Sequence, residues 1–105
     1  MREAALNSRI NAMVRREFPE AYIVKISDRS MCGIPDDIGC YKGLFFAMEV
    51  KVPGAPAPTK IQAYTMDLIR RAGGVVSVVR SVSEARDFMS YVAYGGLRKN
   101  MEERT

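Results

Sequence analysis

The chain has 105 residues, 48% of them apolar and 27% charged, and its 16 Lys and Arg against 12 Asp and Glu leave a net charge of +4. That length fits one domain that buries roughly two thirds of its unfolded surface, and the composition excludes disordered, collagen-like and coiled-coil chains. There is no His and no Trp, which removes Ser–His and Cys–His nucleophile pairs, imidazole bases and His-ligated zinc and leaves carboxylates, Lys, Tyr or a metal to carry any chemistry. The longest apolar run, residues 44–48, is far short of a membrane span. No apolar signal segment follows Met1-Arg2-Glu3, so a cytoplasmic location is expected, in the host cell if the chain is virus-encoded. Cys32 and Cys40 are too few and too oddly spaced for a disulfide scaffold or a zinc site and read as thiols of a reducing compartment. The modest positive balance permits a polyanionic partner without demanding one.

Leu6, Ile10, Met13 and Val14 stand at helical spacing and predict an amphipathic helix over residues 3–17, with Pro19 just past its end. Residues 22–26, rich in β-branched side chains, read as a strand. A loop with Gly33 and Pro35 leads to a short extended piece at 36–40, and Lys42-Gly43 turns the chain into residues 44–52, the most strand-like segment. Residues 53–58, with three prolines, break regular structure. Thr59 opens a helix that carries Ile61, Tyr64, Leu68 and Ile69 and is closed by Gly73-Gly74. Residues 75–79 form a short buried strand, and Ser81 with Glu84 forms a capping box for a last helix through Ala93, ended by Gly95-Gly96. Residues 1–94 are then one domain and 95–105 a polar tail. The order α-β-β-β-α-β-α predicts an α/β fold, a single mixed sheet flanked by helices, with the 59–72 helix as a crossover of the usual hand.

Period-two alternation puts Phe45, Ala47, Glu49 and Lys51 on one strand face, and Leu44, Phe46, Met48, Val50 and Val52 on the other. A carboxylate and an ammonium thus share an otherwise apolar face, where charges are normally paired or metal-bound. Taken alone, Glu-x-Lys reads more readily as a surface ion pair worth under about 1 kcal/mol. Gly33-Ile-Pro-Asp36 adds weight, because a hairpin through Lys42-Gly43 brings Asp36 and Glu49 onto neighbouring strands, with opposed side chains about 5 Å apart. Two carboxylates that close repel unless a cation lies between them. Oxygen-only ligands select a hard ion, Mg²⁺ or Mn²⁺. Asp37 is a rival ligand that strand parity does not separate from Asp36, and Gly-x-Pro-Asp also reads as the plain start of a loop.

Together, Gly33-x-Pro35-Asp36, Glu49-Val50-Lys51 and Thr59-x-x-Gln62 resemble the PD-(D/E)xK nuclease superfamily. Within it the chain is most similar to the stand-alone VRR-NUC domains of viruses and bacteria, over about residues 3–90 and including the element order. The resemblance implies a restriction-endonuclease-like core and a Mg²⁺-dependent, structure-selective endonuclease that hydrolyses DNA phosphodiester bonds in branched DNA such as four-way (Holliday) junctions. It assigns the metal to Asp36, Glu49 and the backbone carbonyl of Val50, and it places Lys51 at the scissile phosphate and attacking water. Gln62 corresponds to a residue that orients phosphate or water, and Thr59-x-x-Gln62 is also a capping box in its own right. Glu3 corresponds to a first-helix Glu that reaches the metal through water. It falls on the line of Leu6, Ile10 and Val14, although Glu17 lies near the same line and a first-turn Glu also suits the helix dipole.

The loop before Thr59 departs from the family in lacking a basic residue, for which Lys60 is the substitute. Arg9, Lys60, Arg70 and Arg71, with Arg15 and Arg16, are candidates for contact with the DNA backbone, which carries no sequence information. Similar small domains act as homodimers, and symmetric cutting of two strands takes two sites where this chain supplies one. The Phe88, Met89 and Val92 stripe with Tyr91 suits either a subunit interface or the core. The alternatives are a catalytically silent DNA-binding or recruitment domain on the same fold, and an interaction domain whose charge is incidental.

Overall fold

The spacing of Leu6, Ile10, Met13 and Val14 forms helix α1, Glu3–Glu17, in the computed structural model, which describes residues 1–26 and 32–103. All four side chains are buried, and Asn7 and Asn11 are buried with them. The strands are β1 (Tyr22–Lys25), β2 (Asp37–Tyr41), β3 (Leu44–Val50) and β4 (Val75–Val79), in the spatial order β1-β2-β3-β4. The first three are antiparallel neighbours, and β4 lies parallel to β3 after a crossover through helix α2 (Lys60–Arg71). Helix α3, Val82–Glu103, ends the described chain. The sheet is therefore single and mixed, in the expected α-β-β-β-α-β-α order. The β2–β3 hairpin is closed at Lys42-Gly43, both with positive φ (47° and 88°).

Alternation on β3 divides the core. Phe46, Met48 and Val50 pack with Leu6, Ile10, Met13 and Val14 of α1 and with Met89 and Val92 of α3. The Phe46 and Phe88 rings meet edge-on at 6.4 Å between centroids. On the opposite face Ala47 packs with Met66 of α2 and Val76 of β4. Phe88, Met89 and Val92 thus belong to the core, while Tyr91 is exposed.

Five elements differ from the sequence reading, β1 and β2 only by one residue at their ends, so that Asp36 stands just outside β2. Helix α3 does not stop at Gly95-Gly96 but continues to Glu103 through what was expected to be a separate tail, whose last two residues, like 27–31 of the Gly33 loop, lie outside the described residues. A helical Gly costs only about 1 kcal/mol relative to Ala. Gly95 serves close approach rather than a turn, since a Cβ there would lie 3.1 Å from Leu44 Cδ2. Helix α2 presents Gln62, Met66 and Ile69 toward the sheet and leaves Ile61, Tyr64 and Leu68 exposed. The face it covers is built of Ala47, Val76 and Val78, which Met66 and Ile69 suffice to cover. Strand β3 ends at Val50, although the Lys51 N–H still donates to Val79 O at 3.0 Å. Among the described residues no helix is long and apolar enough to cross a membrane.

Candidate active site

Register sets the centre. Asp37 pairs with Met48, so the preceding Asp36 stands across from Glu49, at the point where β2 begins and the ladder stops. The Val50 N–H, left without a strand partner on that edge, donates to Asp36 Oδ2 at 2.7 Å. A strand residue's N–H and C=O share an edge, so the Val50 carbonyl is directed to the same side as Asp36. Glu49 shares the α2 side of β3 with Ala47 and is only 2% exposed. The Lys51 ammonium lies 4.0 Å from Glu49 Oε1, with its side chain 16% exposed.

Helix α2 brings the fourth group. Thr59 caps the helix, its hydroxyl accepting from the Gln62 N–H at 3.2 Å while Gln62 Oε1 accepts from the Thr59 N–H at 2.9 Å. This reciprocal cap fixes the Gln62 amide, whose Nε2 is left to donate to Glu49 Oε1 at 3.4 Å. Gly33 lets the Pro35-Asp36 segment pass directly over α2. Its φ is +85°, and a Cβ there would strike the Ile61 side chain and come within 3.0 Å of Ile61 O.

Electrostatically the centre is short of positive charge. Burial pushes the Glu49 carboxyl up to about 8, helped by the hydrogen-bonding and charge of Asp36 and, least, by the charge of Glu3; Lys51 opposes the shift. With both acids ionised, Glu49 Oε2 is buried without a hydrogen-bond partner. A shared proton or a cation is what the pair lacks. The exposed Glu3 is the α1 carboxylate whose charge reaches Glu49. Glu17, its rival, is taken up at the far end of α1 by Arg86 at 2.8 and 3.0 Å, which holds its carboxyl below the usual range. Among the described residues no group of three acidic or thiol side chains forms a metal cage. Asp36, Glu49 and the Val50 carbonyl are hard oxygen donors of the kind that could hold a divalent ion such as Mg²⁺.

Asp37, the alternative ligand, points the other way and is fully buried under α1. Asn11 Nδ2 donates to Asp37 Oδ1 at 3.0 Å, and Asn7 reaches the same oxygen at 3.2 Å when its amide nitrogen faces the carboxyl. Burial pushes the Asp37 carboxyl up to about 6, against the pull of these two hydrogen bonds. The sequence reading missed this cluster, whose one signal was Asn at i and i+4, each directly following a core residue of the α1 stripe.

The basic residues divide by commitment. Arg70 is held by Asp67 at 3.3 Å and by Val76 O at 3.3 Å, and it lies with Arg71 at the end of α2 remote from Gln62. Arg16 joins Glu17 at 3.4 Å. Arg9, Lys60 and Arg71 are exposed and make no ion pair among the described residues. Arg80, which the sequence reading did not single out, donates to Val52 O at 3.1 Å and Ala55 O at 3.0 Å and so ties the proline-rich loop after Lys51 to the start of α3.

No protein-family model and no curated protein matches the chain. A solved structure of a "VRR_NUC domain" is similar, with a TM-score of 0.64 and 22% sequence identity over 79% of this chain and 92% of that one. At that identity the likeness is one of architecture. It covers most of both chains, and this chain therefore has the VRR-NUC fold.

Proposed function

We propose that the chain is a Mg²⁺- or Mn²⁺-dependent endonuclease that hydrolyses phosphodiester bonds of branched DNA as a homodimer. The observation that carries this reading is the Asp36–Glu49 pair, half-buried at Asp36 and buried at Glu49, with Glu49 Oε2 unsatisfied and an ammonium and an amide aimed at its other oxygen. Oxygen-only donors beside an orphaned buried carboxylate atom fit a hard divalent ion held by Asp36, Glu49 and the Val50 carbonyl. Such an ion supplies Lewis-acid charge to a phosphoryl oxygen and makes a nearby water more acidic.

The chain's own residues do the rest. Gln62 holds Glu49 Oε1 from a fixed first turn, which orients the carboxylate without closing the site. Lys51, a compact point charge with three donors, stands where negative charge grows on the phosphate. Glu3, at the mouth, positions water. Lys60 and Arg9 offer exposed charge for the flanking backbone, and Arg71 lies farther along α2. The dimer contact we assign to the outer face of α2, where Ile61, Tyr64 and Leu68 form an apolar stripe on the side away from the sheet, rather than to the core residues of α3.

The test is a panel of linear, flap, replication-fork and four-way DNA, with Mg²⁺, Mn²⁺ or EDTA. Cutting should need the metal and favour the branched forms. Lys51→Ala should slow it by about 10²- to 10³-fold, as for loss of one oxyanion donor, and Glu49→Ala at least as much, with DNA binding and circular dichroism retained. Undiminished cleavage in both variants would refute the assignment. Binding without cutting of any substrate would favour the silent DNA-binding reading.

A further inference from the structure

On the other side of β2 from the carboxylate pair, between α1 and the edge strand β1, lies an open cleft of about 340 Å³. It is lined by Ser8, Asn11, Ala12 and Arg15 of the helix and Lys25 of the strand. Lys25 is the register partner of Asp37, and the Ile26 N–H donates to Asp36 O at 2.8 Å. The cleft and the carboxylates therefore share one end of the sheet on opposite faces.

Its two cations come from different elements, are exposed, and make no ion pair among the described residues, whereas Arg16, Lys42, Lys51, Arg70 and Arg86 are all paired. A second observation comes from the floor. Asn11 is only 6% exposed and its Nδ2 is spent on Asn7 and Asp37, yet its Oδ1 has no partner. Arg15 follows Asn11 by one helical turn, the spacing at which side chains meet. Arg15 lines the cleft beside Lys25, and its guanidinium makes no hydrogen bond among the described residues, which leaves its N–H donors to a ligand. A planar fork, an ammonium and a hydroxyl around one concavity are the donors that phosphate oxygens take.

We propose that this cleft holds a backbone phosphodiester of the bound DNA other than the one that is cut, gripped by Arg15 and Lys25 with the Ser8 hydroxyl as a third donor. The inference rests on the DNA reading above and adds a track: the strand passes around the end of the sheet from the carboxylate face to the α1 face.

The experiment measures binding of a four-way junction and a duplex by fluorescence anisotropy in EDTA across a salt series. Subjects are the full chain, the double variant Arg15→Ala/Lys25→Ala, and a control of equal charge loss, Lys42→Ala/Arg86→Ala. The cleft variant should bind at least tenfold more weakly near 0.1 M salt, and its slope of log K against log salt should be shallower by about 0.9, the one phosphate contact it loses. An unchanged slope, or an equal change in the control, would overturn the inference. Should the full chain cut DNA while the cleft variant binds like it, this inference fails and the nuclease reading stands. Should the full chain bind through the cleft and cut nothing, the nuclease reading fails and this inference stands. Amide shifts at Ser8 and Asn11 on adding inorganic phosphate, lost in the variant while DNA affinity is unchanged, would make the cleft a small-anion site and overturn its place on the DNA track.

Discussion

Glu49 is buried more deeply than an unpaired carboxylate ordinarily is, beside a second acid and with one oxygen unpartnered. Such a residue costs stability, and on the proposed reading a bound cation would recover it, because whatever binds only the folded state stabilises it. Mg²⁺ should therefore raise the melting temperature, with about 2.7 kcal/mol available at 100-fold excess over the dissociation constant. In Glu49→Gln, which keeps the shape and the Gln62 contact but halves the charge of the pair, the response should vanish while the variant still folds. A melting curve indifferent to Mg²⁺ in the natural sequence would sink the ligand assignment. At this scale the hairpin through Lys42-Gly43 was enough to bring Glu49 beside the Asp36-Asp37 step, but not to choose between the two aspartates. What the sequence did not show was that Asp37 faces the other way, buried under α1. Parity left that residue open, and its partners Asn7 and Asn11 look in sequence like ordinary solvent-facing positions next to an apolar stripe.

Elements were legible in proportion to the strength of their periodicity. The bounds of α1 and β4 follow from patterns of 3.6 and 2 with clear punctuation, and they coincide with the folded helix and strand. Punctuation misled where a glycine had another use, as at Gly95 against Leu44. Pattern alone also could not tell which way α2 faces, since the helix is apolar on two sides and the sheet covers only one. The attachment of α1 to the sheet has a polar component that can be measured. Asn11→Ala removes its hydrogen bonds to Asp37 and to the Asn7 carbonyl inside the core and should cost about 1–3 kcal/mol in urea unfolding, the range for leaving buried partners unsatisfied. A loss below a few tenths of that range would show that α1 is held by its apolar side chains alone. The ion pair of Glu17 with Arg86 ties the same helix to α3 at its other end, so α1 is fixed at both the centre and the end remote from the carboxylates.

For the molecule as a whole, the central question is what covers α2. Three large apolar side chains in one line on a helix already packed on its other side suggest a second copy of the chain as the cover, since a two-fold contact sets a stripe against itself. Tyr64→Glu should convert a dimer to a monomer in sedimentation velocity without shifting the melting curve to unfolded values. A natural sequence that sediments as a monomer at tens of micromolar would end the assignment. Such a contact would carry Gln62 of each copy on the interface helix and so join the two centres through one rigid element.

The double duty of Gln62 has a further consequence for how this protein can vary. The amide that starts α2 is also the group that faces Glu49, and a glutamate would serve the helix start equally well while adding a third acid to a crowded pair. Selection for the helix start alone is blind to that exchange, whereas on the proposed reading selection for turnover would detect it. If the proposed function holds, position 62 is thus a place where a descendant of this chain would lose turnover while its helix still starts as before.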